Sequence, residues 1–107
     1  MMIYLPGDNA SIRYANPIYE LINRRRRQVL VHSVIYYMFN RNIISDATWT
    51  KWATELCELQ KQYPDIAQQV PYHDAFKDFD PSTGYDLPLN DPWAYGKAEY
   101  LMKKIKC

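Results

Sequence analysis

Between Pro17 and Pro64 the chain contains neither proline nor glycine, and no other feature limits its folding more. A stretch of that length without either breaker is free to be helical, because proline removes a helix hydrogen bond and glycine costs about 1 kcal/mol relative to alanine. Its start is marked twice, by Asn16 as a good N-cap and by Pro17, whose ring pre-sets the first helical residue. Ile18, Leu21, Ile22 and Val29 then fall on one face, and the run from Val29 to Phe39 is apolar at nine of eleven positions. Such a run predicts a helix covered on most of its sides. Arg24, Arg25, Arg26 and Arg27 spread over nearly a full turn, so they cannot all face one partner. They read as a solvated turn ahead of a nucleic-acid site, since phosphate contacts need cations clustered on one face.

Asn40, Arg41 and Asn42 break the pattern, and Ser45 followed by Asp46 offers an N-cap and an acidic first turn for a second helix. Along it Trp49, Trp52, Ala53, Leu56, Leu59 and Tyr63 recur at spacings of three and four, which is the helical period, and Pro64 ends it. A connection of about five residues forces the helices at 17 to about 40 and 46 to 63 into an antiparallel hairpin. Beyond Pro64 one helical turn is expected within Ile66 to Val70, then an acidic aromatic stretch, then a loop rich in proline from Asp80 to Pro92. Asp91 and Pro92 open a last helix with an apolar stripe at Trp93, Tyr95, Ala98, Leu101, Met102 and Ile105, interrupted once by Gly96. The fold class is therefore mainly α, in one domain of 107 residues. It comprises an irregular N-terminal arm (1–15), a helical hairpin (17–66), an acidic aromatic loop (67–91) and a C-terminal helix (92–106).

Charge narrows the function classes. Thirteen basic and twelve acidic side chains leave a net charge of +1, without the basic excess of a general nucleic-acid coating protein. The distribution is uneven: residues 1–53 hold seven basic and three acidic groups, residues 54–107 six and nine. An aromatic content of 15% with only three glycines argues against disorder and against a glycine-rich phosphate loop. The first ten residues lack the basic and apolar regions of a signal peptide, and no window approaches the ~18 apolar residues of a membrane span, so a cytoplasmic location is expected. Cys57 and Cys107 lie far apart and share no ligand spacing with His32 or His73, so neither a disulfide nor a zinc site is expected. His32 reads as a hydrogen-bonded core histidine. No catalytic triad, Cys-His pair or paired carboxylates can be argued from spacing, so no catalytic residue is assigned.

Read from Arg24 to Ile66, about 43 of the 107 residues, the sequence resembles the N-terminal domain, called Ia, of bacterial NAD-dependent DNA ligases. The pattern falls on His32, the Tyr36-Tyr37 pair, Ile44, Ser45, Asp46, Trp49, Glu55, Leu56, Leu59, Pro64, Asp65 and Ile66. The resemblance implies a hairpin that holds the nicotinamide mononucleotide half of NAD, with aromatic rings on the nicotinamide and acidic groups on the nucleotide. Carried over by position, it implies Tyr36, Tyr37, Asp46 and Trp49 as cofactor-binding residues. Where the ligases have Tyr-Asp this chain has Trp49-Thr50, so the ring is kept and the carboxylate lost. The Lys-x-Asp-Gly motif that carries AMP is missing as well, because Lys77 is followed by Asp78, Phe79 and Asp80. Stand-alone relatives of such a module are associated with bacteriophages and prophages of Gram-positive bacteria.

Two function classes follow. The first is a non-catalytic, phage-type interaction protein that binds and inhibits a host protein, such as a CRISPR effector nuclease or another defence enzyme, in the bacterial cytoplasm. Asp74, Asp78, Asp80, Tyr85 and Asp86 are its partner-binding candidates, since interleaved carboxylates and rings supply both steering and anchors. The alternative is a nicotinamide nucleotide module for NAD or nicotinamide mononucleotide, acting alone or with a ligase in trans. A third reading, nucleic-acid binding through Arg24 to Arg27, has only the charge run behind it. No metal and no resident cofactor is expected.

Overall fold

The computed structural model describes residues 16–106, with side chains through Lys104; the arm at 1–15 and Cys107 lie outside the described residues. Helix α1 runs Pro17–Met38. The Asn16 side chain accepts the N–H groups of Ile18 and Tyr19 at 2.9 and 3.3 Å, which supplies the missing acceptors of the first turn. The helix ends where Asn40 turns left-handed at φ 55°, a conformation that asparagine tolerates better than most residues. Helix α2 runs Asp46–Gln62. Its cap is Ser45, whose Oγ accepts the Thr48 N–H at 3.0 Å. Pro64 then opens the single turn α3, Pro64–Ala67, and a second turn, α4, spans His73–Phe76. Helix α5, Pro92–Lys106, closes the described chain. Among the described residues there is no strand, and no helix is long and apolar enough to cross a membrane.

The helical hairpin is present as expected. Arg26 faces Gln60 near the end of α2 while Ser33, further along α1, faces Trp49 near its start, so the two helices are antiparallel. Helix α1 packs against both α2 and α5, which makes it the centre of the fold. Ile22, Val29, Leu30, Val34 and Ile35 of α1 are buried with Ala53 and Leu56 of α2, Ala94 and Ala98 of α5, and Phe76, Val70 and Leu87 from the segments between. The two alanines, four residues apart on one face of α5, let the helix backbones approach closely.

Four expectations need correction. The last turn of α1 is not covered: Tyr36 is 51% and Met38 48% exposed, with Tyr37 at 37%. Register is the reason, because carrying the Ser33–Trp49 pairing one turn further sets Tyr36 opposite Asp46, the first residue of α2, and beyond it α2 has no residue to set against that face of α1. The arginine run is not a solvated turn either. Arg26 is fully buried, Arg25 pairs with Glu55 at 2.9 Å, and the Arg27 guanidinium lies 4.6 Å from the Trp93 ring centroid, so only Arg24 is left to solvent. A nucleic-acid site on Arg24 to Arg27 has no geometric basis there. Trp93, in the apolar stripe expected of α5, is 42% exposed under Arg27, while Ala94, outside that stripe, is buried. Finally, the expected turn at Ile66 to Val70 begins earlier, at Pro64, and the acidic loop contains the further turn α4.

Arg26 decides how the middle of the chain is held. Its guanidinium donates to the carbonyls of Val70, Pro71 and Ala67 at 2.9, 3.1 and 3.2 Å and to Gln60 Oε1 at 2.9 Å. Gln60 in turn donates to the Phe76 carbonyl at 3.0 Å. Among the described residues no carboxylate touches the guanidinium; its charge is met by carbonyl dipoles. Burial pulls its pKa down to about 10, which still leaves it charged at neutral pH. Tyr72, held at φ 72°, donates its hydroxyl to Asp91 Oδ2 at 2.8 Å, and the same oxygen accepts the Ala94 N–H at 3.0 Å. Asp91 therefore caps α5, as the sequence predicts, and also fastens the segment before it.

Candidate functional site

The exposed end of α1 forms one wall of a cleft of about 230 Å³. Spacing puts His32, Ser33, Tyr36 and Tyr37 on one face of α1, and Asp46, Trp49 and Thr50 on the facing side of α2. Asn42, Ile43 and Ile44 of the turn close one end, and Ser82, Thr83 and Gly84 from the loop close another. The four positions carried over from the ligase pattern, Tyr36, Tyr37, Asp46 and Trp49, thus line a single cavity.

The floor is fixed by hydrogen bonds. Ser33 Oγ donates to the Val29 carbonyl one turn back at 2.7 Å, and the Trp49 indole N–H points at the same two groups, 3.3 Å from Ser33 Oγ and 3.4 Å from the carbonyl. The indole also meets Phe79 edge-on at 6.3 Å between centroids. Its ring is thereby held at one orientation. Ser45 does the capping of α2, so the Asp46 carboxylate is not consumed by the helix; its nearest partner is Asn42 Nδ2 at 3.5 Å, too long for a good hydrogen bond.

On the opposite side Tyr37 shares a hydrogen bond of 3.0 Å with Thr83 Oγ1, meets Tyr36 edge-on at 4.8 Å and Tyr85 at 5.4 Å. These three rings form a continuous path from the cleft to the acidic loop. Gly84 is what lets the loop approach: a Cβ there would lie 2.9 Å from Ser33 Cβ and 3.2 Å from Trp49 Cζ2, and would overlap Ser33 Oγ. Only a residue without a side chain fits.

His32 departs from the expected core histidine. Its ring lies 5.6 Å from that of Trp52, but Nδ1 is buried without a hydrogen-bond partner among the described residues. Burial lowers its pKa below the ordinary histidine value, so the imidazole is neutral at pH 7. A neutral imidazole offers one donor and one acceptor.

The partner-binding candidates lie elsewhere, on the surface. Asp74 belongs to α4, Asp78 and Asp80 follow it, and all three are exposed, as are Tyr85, at 67%, and Asp86. None of these carboxylates is ion-paired among the described residues. Asp80 accepts the Ser82 N–H at 2.9 Å, and this backbone bond, with help from the Ser82 side chain, holds its pKa below the ordinary value. Tyr85 alone of this group is close to the cleft, through Tyr37. Among the described residues no three His, Cys, Asp or Glu side chains converge to hold a metal.

Sequence reasoning missed Ser33, Thr83 and Gly84. Two of these carried a readable signal: Ser33 is one of only two polar positions in the apolar run, and Gly84 is the lone glycine of a long loop. Compared with protein-family models, with curated proteins and with solved structures, the chain matches none.

Proposed function

We propose that this chain is a non-catalytic binding module whose cleft, between the end of α1 and the start of α2, takes the nicotinamide portion of a nucleotide. One observation supports the reading above the rest: Tyr36, Tyr37, Asp46 and Trp49, chosen by their positions in the ligase Ia pattern, surround one cavity. Trp49 offers a ring that its neighbours hold still, Tyr36 and Tyr37 supply partly exposed rings, and Asp46 supplies a carboxylate. At about 230 Å³ the cleft is below the roughly 300–1,000 Å³ of pockets that enclose drug-sized ligands, which suits a ring with its sugar and leaves the rest of a dinucleotide outside. Calorimetric titration with millimolar nicotinamide mononucleotide tests the reading. Heat beyond dilution is expected, weakened by Asp46→Ala and by Tyr36→Ala without loss of helical circular dichroism; no heat above the dilution control from either the mononucleotide or its riboside would remove the reading.

A second reading has its own observation. Asp74, Asp78, Asp80 and Asp86 are exposed and not ion-paired among the described residues, and Tyr85 is the most exposed large apolar side chain there. We propose this face as the surface for a basic host protein, of which a nucleic-acid-cleaving defence enzyme such as a CRISPR effector is the kind in mind, consistent with a phage-type inhibitor acting in a bacterial cytoplasm. Its test is the charge-neutralised variant described below.

A further inference from the structure

No lysine or arginine lines the cleft among the described residues. The nearest cation in sequence, Arg41, precedes the lining residue Asn42 but is exposed and outside the lining. The one carboxylate in the lining, Asp46, lacks a close hydrogen-bond partner among the described residues. His32, neutral at pH 7 because burial disfavours its charged form, adds no positive charge. The remaining polar side chains of the lining offer only neutral hydroxyl, amide and indole N–H groups.

That combination recognises charge in one direction. A phosphate bound here would meet a carboxylate and find no cation to offset it, and like charges disfavour one another when water is partly excluded. A planar cation, by contrast, is attracted by the negative faces of aromatic rings such as Tyr36, Tyr37 and Trp49, and by Asp46. An oxidised nicotinamide riboside carries its positive charge on the pyridinium ring. Resting on the nucleotide reading above, we propose that the cleft is specific for a cationic, phosphate-free pyridinium riboside, and that it discriminates against the same ring when a phosphate is attached or when the positive charge is gone.

The experiment is a set of calorimetric titrations of the full chain at pH 7.5 and low salt with three probes: oxidised nicotinamide riboside, nicotinamide mononucleotide, and the neutral reduced riboside. The oxidised riboside is expected to bind at least threefold tighter than the mononucleotide and at least tenfold tighter than the reduced riboside, with Asp46→Asn shrinking both ratios. If the mononucleotide comes within threefold of the riboside or exceeds it, the charge inference is overturned while the nucleotide reading stands. Equal binding of the oxidised and reduced ribosides has the same consequence. If none of the three binds, both the inference and the reading fall together.

Discussion

The Arg26 guanidinium donates to the main-chain carbonyl of Val70 at 2.9 Å, across 44 residues of sequence. A fully buried cation is costly unless every donor is satisfied. Here it is satisfied by three carbonyls and one side-chain amide, all from the segment that follows the hairpin or from the α2 residue facing it. One side chain of α1 therefore determines where the chain goes after α2.

Arg26→Met should destabilise the protein by about 2–5 kcal/mol, because the buried carbonyls of Ala67 and Val70, the part-buried carbonyl of Pro71 and Gln60 lose their donor at once. Arg26→Lys should recover only part of this, since an ammonium cannot reach four acceptors arranged around a planar fork. Urea denaturation of the three proteins gives the order, wild type above Lys above Met. A Met variant as stable as wild type would mean that the network contributes nothing net.

Gly84→Ala should change the cleft before it changes the fold. The added methyl overlaps Ser33 and approaches Trp49, so the loop at 82–84 has to back away, and the Tyr37–Thr83 hydrogen bond should be lost with it. A destabilisation of about 1–3 kcal/mol is expected from overpacking, together with a shift in tryptophan emission as water gains access to Trp49. Emission unchanged from wild type would contradict the close approach.

Stability should depend on pH on both sides of neutrality. The His32 pKa is lowered by burial, so the unfolded chain binds the proton more readily, and the stability His32 contributes is complete above its ordinary value of about 6.5 and lost as pH falls through and below it. Tyr72 behaves in the opposite sense. Burial, then the hydrogen bond to Asp91, pushes its pKa up to about 12, so its contribution is complete below the ordinary tyrosine value of about 10 and is lost as pH rises from there through the folded-state value. Denaturation midpoints at pH 7.5, 6.5 and 5.5 should fall, with a shallower slope in His32→Gln, and absorbance titration should show one tyrosine ionising late, an effect that Tyr72→Phe removes.

Replacing Asp78, Asp80 and Asp86 together with Asn should leave the fold intact, because all three are exposed and, among the described residues, only Asp80 makes a hydrogen bond, which Asn can still accept. If the acidic face binds a basic partner, the association rate should drop and the difference should narrow as salt rises, since exposed charges are screened over about 8 Å at physiological ionic strength. An unchanged rate would place the interface elsewhere.

The helices and their antiparallel order were legible because each boundary carries its own chemistry: Asn16-Pro17, Ser45-Asp46, Pro64 and Asp91-Pro92 all act locally. The four cleft positions were legible only by comparison with a known pattern, since nothing in a helical period tells a tyrosine that lines a cavity from one that fills a core. Arg26 was misread because its partners lie more than forty residues away; a run of four arginines looks uniform, and only tertiary structure distinguishes the buried one. The outward turn of Tyr36 and Tyr37 follows from the offset between two helices of unequal length, a quantity set by packing and invisible in either helix alone. Gly84 owes its place to Ser33 and Trp49, neither of which is near it in sequence.

Tyr37 touches both halves of the molecule's surface chemistry, edge-on to Tyr36 in the cleft and to Tyr85 at the border of the acidic face. Two ligands that meet at one side chain are thermodynamically linked. If the cleft takes a small molecule and Tyr85 a protein, a rotation of the Tyr37 ring that changes one affinity changes the other by the same factor. Occupancy of the cleft would then act as a dial on partner binding, with a single phenol ring as its shaft.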